Sequence, residues 1–155
     1  GFVFESENVS LCYMADTGLL ISHAFDEKQI VSNELYRKLL LDKLEVNAGM
    51  LIENIVAQML VAAGHNLYFY SNSDKEEAEN RMEIDFLIRK DNVTSRHNII
   101  PIEAKSSSGY TTHSLNKCAQ KFKEYITLPT VLHPADYKED TDGKRYLPLY
   151  MTPLL

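Results

Sequence analysis

Apolar residues recur along this chain in two rhythms. Between 47 and 63 they fall at three- and four-residue spacing, as Ile52, Ile55, Val56, Met59, Leu60 and Ala63. That spacing predicts a helix, with Asn47 as its cap and Gly64 as its end. From Met82 to Arg89 they alternate instead. Met82, Ile84, Phe86 and Ile88 are expected on one face of a strand, and Glu83, Asp85, Leu87 and Arg89 on the other. A second strand runs from Ile99 to Lys105, with Ile100, Ile102 and Ala104 on one face. Glu103 and Lys105 share its other face with Ile99 and Pro101. Paired as a hairpin centred near Thr94, the two strands set Asp85 opposite Glu103.

Weaker patterns supply the remaining elements. Residues 9–14 read as a strand broken at Gly18, and 35–41 as a short helix capped by Ser32 or Asn33. Residues 67–70 read as a strand, with Tyr68, Phe69 and Tyr70 as core and edge aromatics, and the charged stretch 71–81 as a solvated loop. Residues 114–126 predict an amphipathic helix with Leu115, Cys118, Ala119, Phe122 and Ile126 inward. Val131-Leu132 and 146–151 are two further short strands, separated by a loop or hairpin turn over 138–144. Together these give an α/β (α+β) fold, a mixed sheet core flanked by helices, in one domain spanning 1–155.

Composition narrows the class. The chain has 155 residues, 45% hydrophobic and 25% charged, which suits a folded domain with a sizeable core. No stretch approaches the ~18 apolar residues of a membrane span, and no signal peptide opens the chain. The abrupt apolar start predicts a piece of a longer protein. Cys12 and Cys118 lie far apart with no Cys-x-x-Cys pair, so two reduced thiols in a cytoplasmic protein are expected, with a single disulfide as the lesser alternative. The formal charge of −6 argues against strong non-specific nucleic-acid binding. Residues 1–100 hold nine basic and sixteen acidic side chains and residues 101–155 seven and six, so a phosphate-facing surface is expected in the later part.

Acidic groups within strands need a reason, because sheets disfavour them and buried charge is costly. Asp85 lies mid-strand, and Glu103 and Lys105 flank Ala104 after an apolar run. A spacing of two sets Glu103 and Lys105 on the same side. Two carboxylates repel unless a cation lies between them, and Mg²⁺ (or Mn²⁺) takes hard oxygen ligands while leaving room for water and a phosphate oxygen. Asp85 and Glu103 are thus the expected metal ligands, and Lys105 is placed to position water or stabilise charge on phosphorus. Glu53 lies about 20° around its helix from Leu60 and is expected to flank the apolar arc, with Asn54 and Gln58 further into water. Each residue taken singly reads more often as an ordinary solvated charge or ion-pair partner than as a catalytic group. The ordered set carries more weight than any member.

That set of helix Glu53, strand Asp85 and Glu103-Ala104-Lys105 resembles the PD-(D/E)XK nucleases. The stretches 13–20, 49–57, 83–86 and 100–107 further resemble the C-terminal domain, of unknown function, of a group of prokaryotic AAA-type ATPases. The likeness covers about 10–151. It implies a restriction endonuclease-like core, Glu53, Asp85, Glu103 and Lys105 as catalytic residues, DNA as substrate, and an ATPase module of the same protein as partner. The chain departs from the nuclease pattern at Ile84, where a proline would stand. No GxxxxGK[ST] occurs, so no ATP site is expected here. Lys117, Gln120 and Lys121 are weaker candidates for phosphate contacts. The Ser-rich stretch 106–109 reads as a flexible loop, and the five scattered histidines as surface residues. The alternative function is a non-catalytic docking, regulatory or nucleic-acid-binding domain with a vestigial site.

Overall fold

The computed structural model describes residues 48–155 apart from 74–76, 79, 91–95 and 142. The strand expected at 9–14, the helix at 35–41, Cys12, Asn47 and the hairpin centre at Thr94 lie outside the described residues. Helix α1 (Ala48–Ala62) is followed by strands β1 (Tyr68–Asn72), β2 (Met82–Arg89) and β3 (Ile99–Ala104). Helix α2 (His113–Lys121), strands β4 (Thr130–His133), β5 (Lys138–Glu139) and β6 (Arg145–Pro148), and a 3-10 helix (Leu149–Leu154) complete the order. The strands form one six-stranded sheet in the order β1-β2-β3-β4-β6-β5. β1, β2 and β3 are joined antiparallel, β3, β4 and β6 parallel, and β5 closes the edge antiparallel to β6. The mixed sheet with flanking helices is the class the sequence predicts.

Helix α1 ends as its glycine dictates. Gly64 takes φ +94°, which costs an L side chain energy but not glycine. His65 N–H then donates to Leu60 O at 3.0 Å and Gly64 N–H to Val61 O at 2.9 Å, so the last carbonyls of the helix are satisfied. The buried stripe is Val56, Ala57 and Leu60, with Asn54 buried beside it. This corrects one expectation, since Asn54 faces inward. Glu53 is half-buried, at the margin of the stripe.

Helices lie on both faces of the sheet, so two apolar cores form. Val56, Ala57, Leu60, Phe86, Ile88, Ile100, Ile102, Ala104 and Leu132 pack on the α1 side. Met82, Ile84, Leu87, Leu115, Cys118, Ile126 and Val131 pack on the α2 side. Ile84 and Phe86 therefore enter different cores, although alternation predicted a shared face. The cause is a β-bulge. Tyr68 pairs with Leu87 but Tyr70 with Ile84, so two steps along β1 match three along β2. The extra residue shifts the parity of β2 around Asp85.

Two other elements stop short of their apolar pattern. α2 ends at Lys121 rather than 126 because the chain beyond it joins the sheet: Ile99 N–H donates to Tyr125 O at 2.9 Å and Thr127 N–H to Ile99 O at 2.8 Å. The strand expected over 146–151 runs only to Pro148, and a 3-10 turn containing Pro153 follows and packs against α1. The predicted turn over 138–144 is a hairpin, with Gly143 at φ +83° and Asp140 N–H bonded to Lys144 O at 2.8 Å. No helix among the described residues is long and apolar enough to cross a membrane.

Candidate functional site at the end of strand β3

β2 and β3 part at Asp85. Their ladder pairs Arg89 with Ile99 and runs to Phe86 opposite Ile102, the register predicted by a centre near Thr94. One step further, Asp85 would face Glu103. There the ladder stops, and Asp85 Oδ2 accepts the Ala104 N–H at 2.7 Å. A backbone N–H in a strand points along the sheet, so the Asp85 carboxylate lies in the plane between the two faces. Beyond this point β2 pairs within the sheet with β1 alone, through Ile84, Glu83 and Met82.

Glu103 and Lys105 follow the spacing rule. Lys105 Nζ lies 2.8 Å from Glu103 Oε2. The ammonium is the one partner of this buried oxygen among the described residues. Glu103 is 3% exposed, and its negative charge reaches Cys118 on α2, which places it on the α2 side of the sheet. Lys105 is anchored through its backbone, whose N–H donates to Leu132 O at 2.8 Å.

Electrostatics ties the four predicted residues together. Burial pushes the Asp85 carboxyl up to about 7; the Ala104 hydrogen bond opposes this, the Glu53 and Glu103 charges add to it, and the Lys105 ammonium opposes it. Burial, and then the Glu83 charge, hold the Glu53 carboxyl above its usual range, with Lys105 opposing. Asp85 thus feels Glu53, Glu103 and Lys105 at once. Three carboxylates share one ammonium, and two of them are held protonated more readily than free acids. Among the described residues no three His, Cys, Asp or Glu side chains gather tightly enough to enclose a metal ion. The donors that could hold a cation are therefore two carboxylates, Asp85 and Glu103. Glu103 Oε2 faces the Lys105 ammonium at 2.8 Å, so a cation there would share or replace that partner, and two protein carboxylates suit a hard ion that keeps several waters.

Lys117, Gln120 and Lys121 are not part of this group. Lys117 Nζ donates to the carbonyls of Ala78 at 2.9 Å and Arg81 at 3.1 Å, and Lys121 Nζ to Asn80 Oδ1 at 3.3 Å. These two lysines fasten the segment before β2 onto α2. Gln120 is exposed.

Sequence reasoning missed a polar pair beside the site, a buried histidine bonded to a partly exposed tyrosine. His133 closes β4 and is 6% exposed, against the expectation of a surface histidine. Tyr110 Oη lies 2.8 Å from its Nδ1, and its Nε2 lies 2.9 Å from Asp136 O. A carbonyl only accepts, so Nε2 carries the proton and the neutral ring's Nδ1 accepts from the Tyr110 hydroxyl. The one available signal was position: His133 directly continues the apolar pair Val131-Leu132.

Residues 48–151 match the model of a family described as Domain of unknown function (DUF4143), and the chain belongs to that family. No curated protein and no solved structure matches the chain.

Proposed function

We propose that this DUF4143 domain is a divalent-cation-dependent phosphodiester hydrolase acting on DNA, of the PD-(D/E)XK type that its motifs resemble, and that it works beside an ATPase module of the same protein. One observation carries the reading: Asp85, Glu103 and Lys105 meet where β2 and β3 part, with Glu53 approaching from α1. A burial-raised carboxyl, a buried carboxylate and, among the described residues, one ammonium between them make a poor structural cluster. They make a serviceable cation site.

Asp85 and Glu103 would hold Mg²⁺ or Mn²⁺. The bound cation supplies positive charge to the phosphoryl oxygen and lowers the pKa of nearby water. Asp85 must give up its proton for this role, so cation binding is linked to proton release. Lys105 Nζ, 25% exposed at the side chain, reaches both Glu103 and solvent. It can orient the attacking water and oppose negative charge growing on phosphorus. Glu53 supports the set by adding negative charge beside Asp85, which strengthens the pull on a cation.

Supercoiled plasmid incubated with the chain and Mg²⁺ or Mn²⁺ should be nicked, and Lys105→Ala should abolish nicking. Equal nicking by both proteins would remove the catalytic assignment. A second reading draws on the net charge of −6 and on the engagement of Lys117 and Lys121 within the fold. On that reading the domain docks onto or regulates the ATPase and the carboxylates are vestigial. Calorimetry that finds no Mn²⁺ binding, together with no cleavage of DNA or RNA, would favour it.

A further inference from the structure

The stretch after Lys105 is bracketed by two bonds to consecutive residues of β4. At its start, Lys105 N–H donates to Leu132 O at 2.8 Å. At its end, the Tyr110 hydroxyl donates to His133 Nδ1 at 2.8 Å. Between them Ser106, Ser107, Ser108 and Gly109 are exposed. The parallel register pairs Ala104 with Leu132, so its next step sets Lys105 beside His133. Glu103, Lys105, Val131 and His133 share the parity that faces α2, and Val131 packs in the α2-side core. His133 is thus the expected cross-strand neighbour of Lys105, which carries the one ammonium that the described residues bring to the site.

The His133 ring has little freedom. Asp136 O fixes its tautomer, the Tyr110 ring meets it edge-on at 5.9 Å and the Tyr146 ring lies tilted against it at 5.8 Å. An apolar pair of similar volume would fill this place without the cost of burying polar atoms. What a satisfied polar pair adds is a single geometry. That geometry ties the far end of the 106–109 stretch to β4, as the Lys105 N–H bond to Leu132 O ties its near end.

We propose that Tyr110 and His133 are positioning residues for Lys105: their hydrogen bond closes the 106–109 loop on β4 and holds the ammonium at the carboxylate site. The catalytic half of this inference rests on the nuclease reading above, and the loop-holding half does not. Tyr110→Phe removes one oxygen and keeps the ring. In that variant, amide exchange of Lys105 and of 106–109 should quicken by about tenfold or more, with Ile88 and Ile102 unchanged. Nicking should lose about tenfold or more in kcat at unchanged KM, because misplacing a catalytic group costs rate rather than binding. His133→Leu should behave as Tyr110→Phe does. His133→Asn, whose Oδ1 can accept the Tyr110 hydroxyl, should restore much of both readouts.

Unchanged exchange at Lys105 and 106–109 in Tyr110→Phe would overturn the loop-holding role. Faster exchange with kcat at the wild-type level would overturn the catalytic one. A wild-type chain that cuts nothing would remove the nuclease reading and the catalytic half together, while exchange alone would still decide whether the pair holds the loop.

Discussion

Asp85 Oδ2 accepts the Ala104 N–H at 2.7 Å, where a continued ladder would present a carbonyl of β2. A side chain has taken over one rung of the sheet. The consequence is a carboxylate fixed in the sheet plane at the point where two strands part. It is reached by Glu53, Glu103 and Lys105, and its hydrogen bond only partly offsets its burial.

Stability should fall as pH rises through the range that separates the two states of Asp85. Unfolded, the carboxyl titrates near ~4. Folded, it is pushed up to about 7. Between these values the folded chain holds a proton that the unfolded chain has released, so raising the pH favours unfolding, and the effect levels off above about pH 7. Urea unfolding without divalent cations should show a loss on the order of a few kcal/mol between these limits. Asp85→Asn keeps an acceptor for Ala104 and should flatten the profile. The same slope in wild type and variant would rule this out.

Lys105→Met should cost stability because it strands a buried charge. Glu103 is 3% exposed and its Oε2 has the Lys105 ammonium as its counter-charge. The loss should be about 2 kcal/mol, below that of a fully buried pair because the lysine is partly solvated. Adding Glu103→Gln should recover most of it, which a double-mutant cycle by thermal or chemical unfolding will report. Additive losses would mean that the two side chains do not interact.

Gly64→Ala should destabilise the domain by about 1 kcal/mol. No atom lies within 4 Å of the added Cβ, so the cost is purely that of φ +94°. Urea midpoints of the two proteins measure it. Gly109→Ala, where φ is not positive and the space is also open, should change little.

Cys118 should resist alkylation in the folded chain. Burial, with the Glu103 charge added, pushes its thiol up to about 12, so almost no thiolate exists near neutral pH. Iodoacetamide at pH 8, followed by peptide mass spectrometry, should leave Cys118 unmodified until urea unfolds the protein. Rapid labelling of the native chain would contradict this placement.

The residues that declared themselves in sequence did so through local chemistry. Gly64 ends α1 because its freedom at positive φ is its own property. Glu103 and Lys105 meet because a spacing of two returns to the same side of any strand. The register of β2 on β3 follows from two apolar runs and the length of chain between them. Other features had no local signature. A bulge inserts one residue of parity without changing the pattern of Met82, Ile84, Phe86 and Ile88, since both faces of the sheet are apolar and each position is buried either way. The inward turn of Asn54 and the burial of His133 likewise depend on what packs against them.

Sequence by itself therefore determined the class of fold, the main helix and strands, and which charged residues fall within them. The tertiary structure alone decided that Asp85 lies in the plane of the sheet, that Glu53 approaches from the opposite side to Glu103, and that Tyr110 bonds His133 at the end of β4. The first set depends on spacing along one segment. The second depends on how separate strands are aligned and covered, and that alignment is fixed only when β1, β3 and β4 compete for the hydrogen bonds of their neighbours.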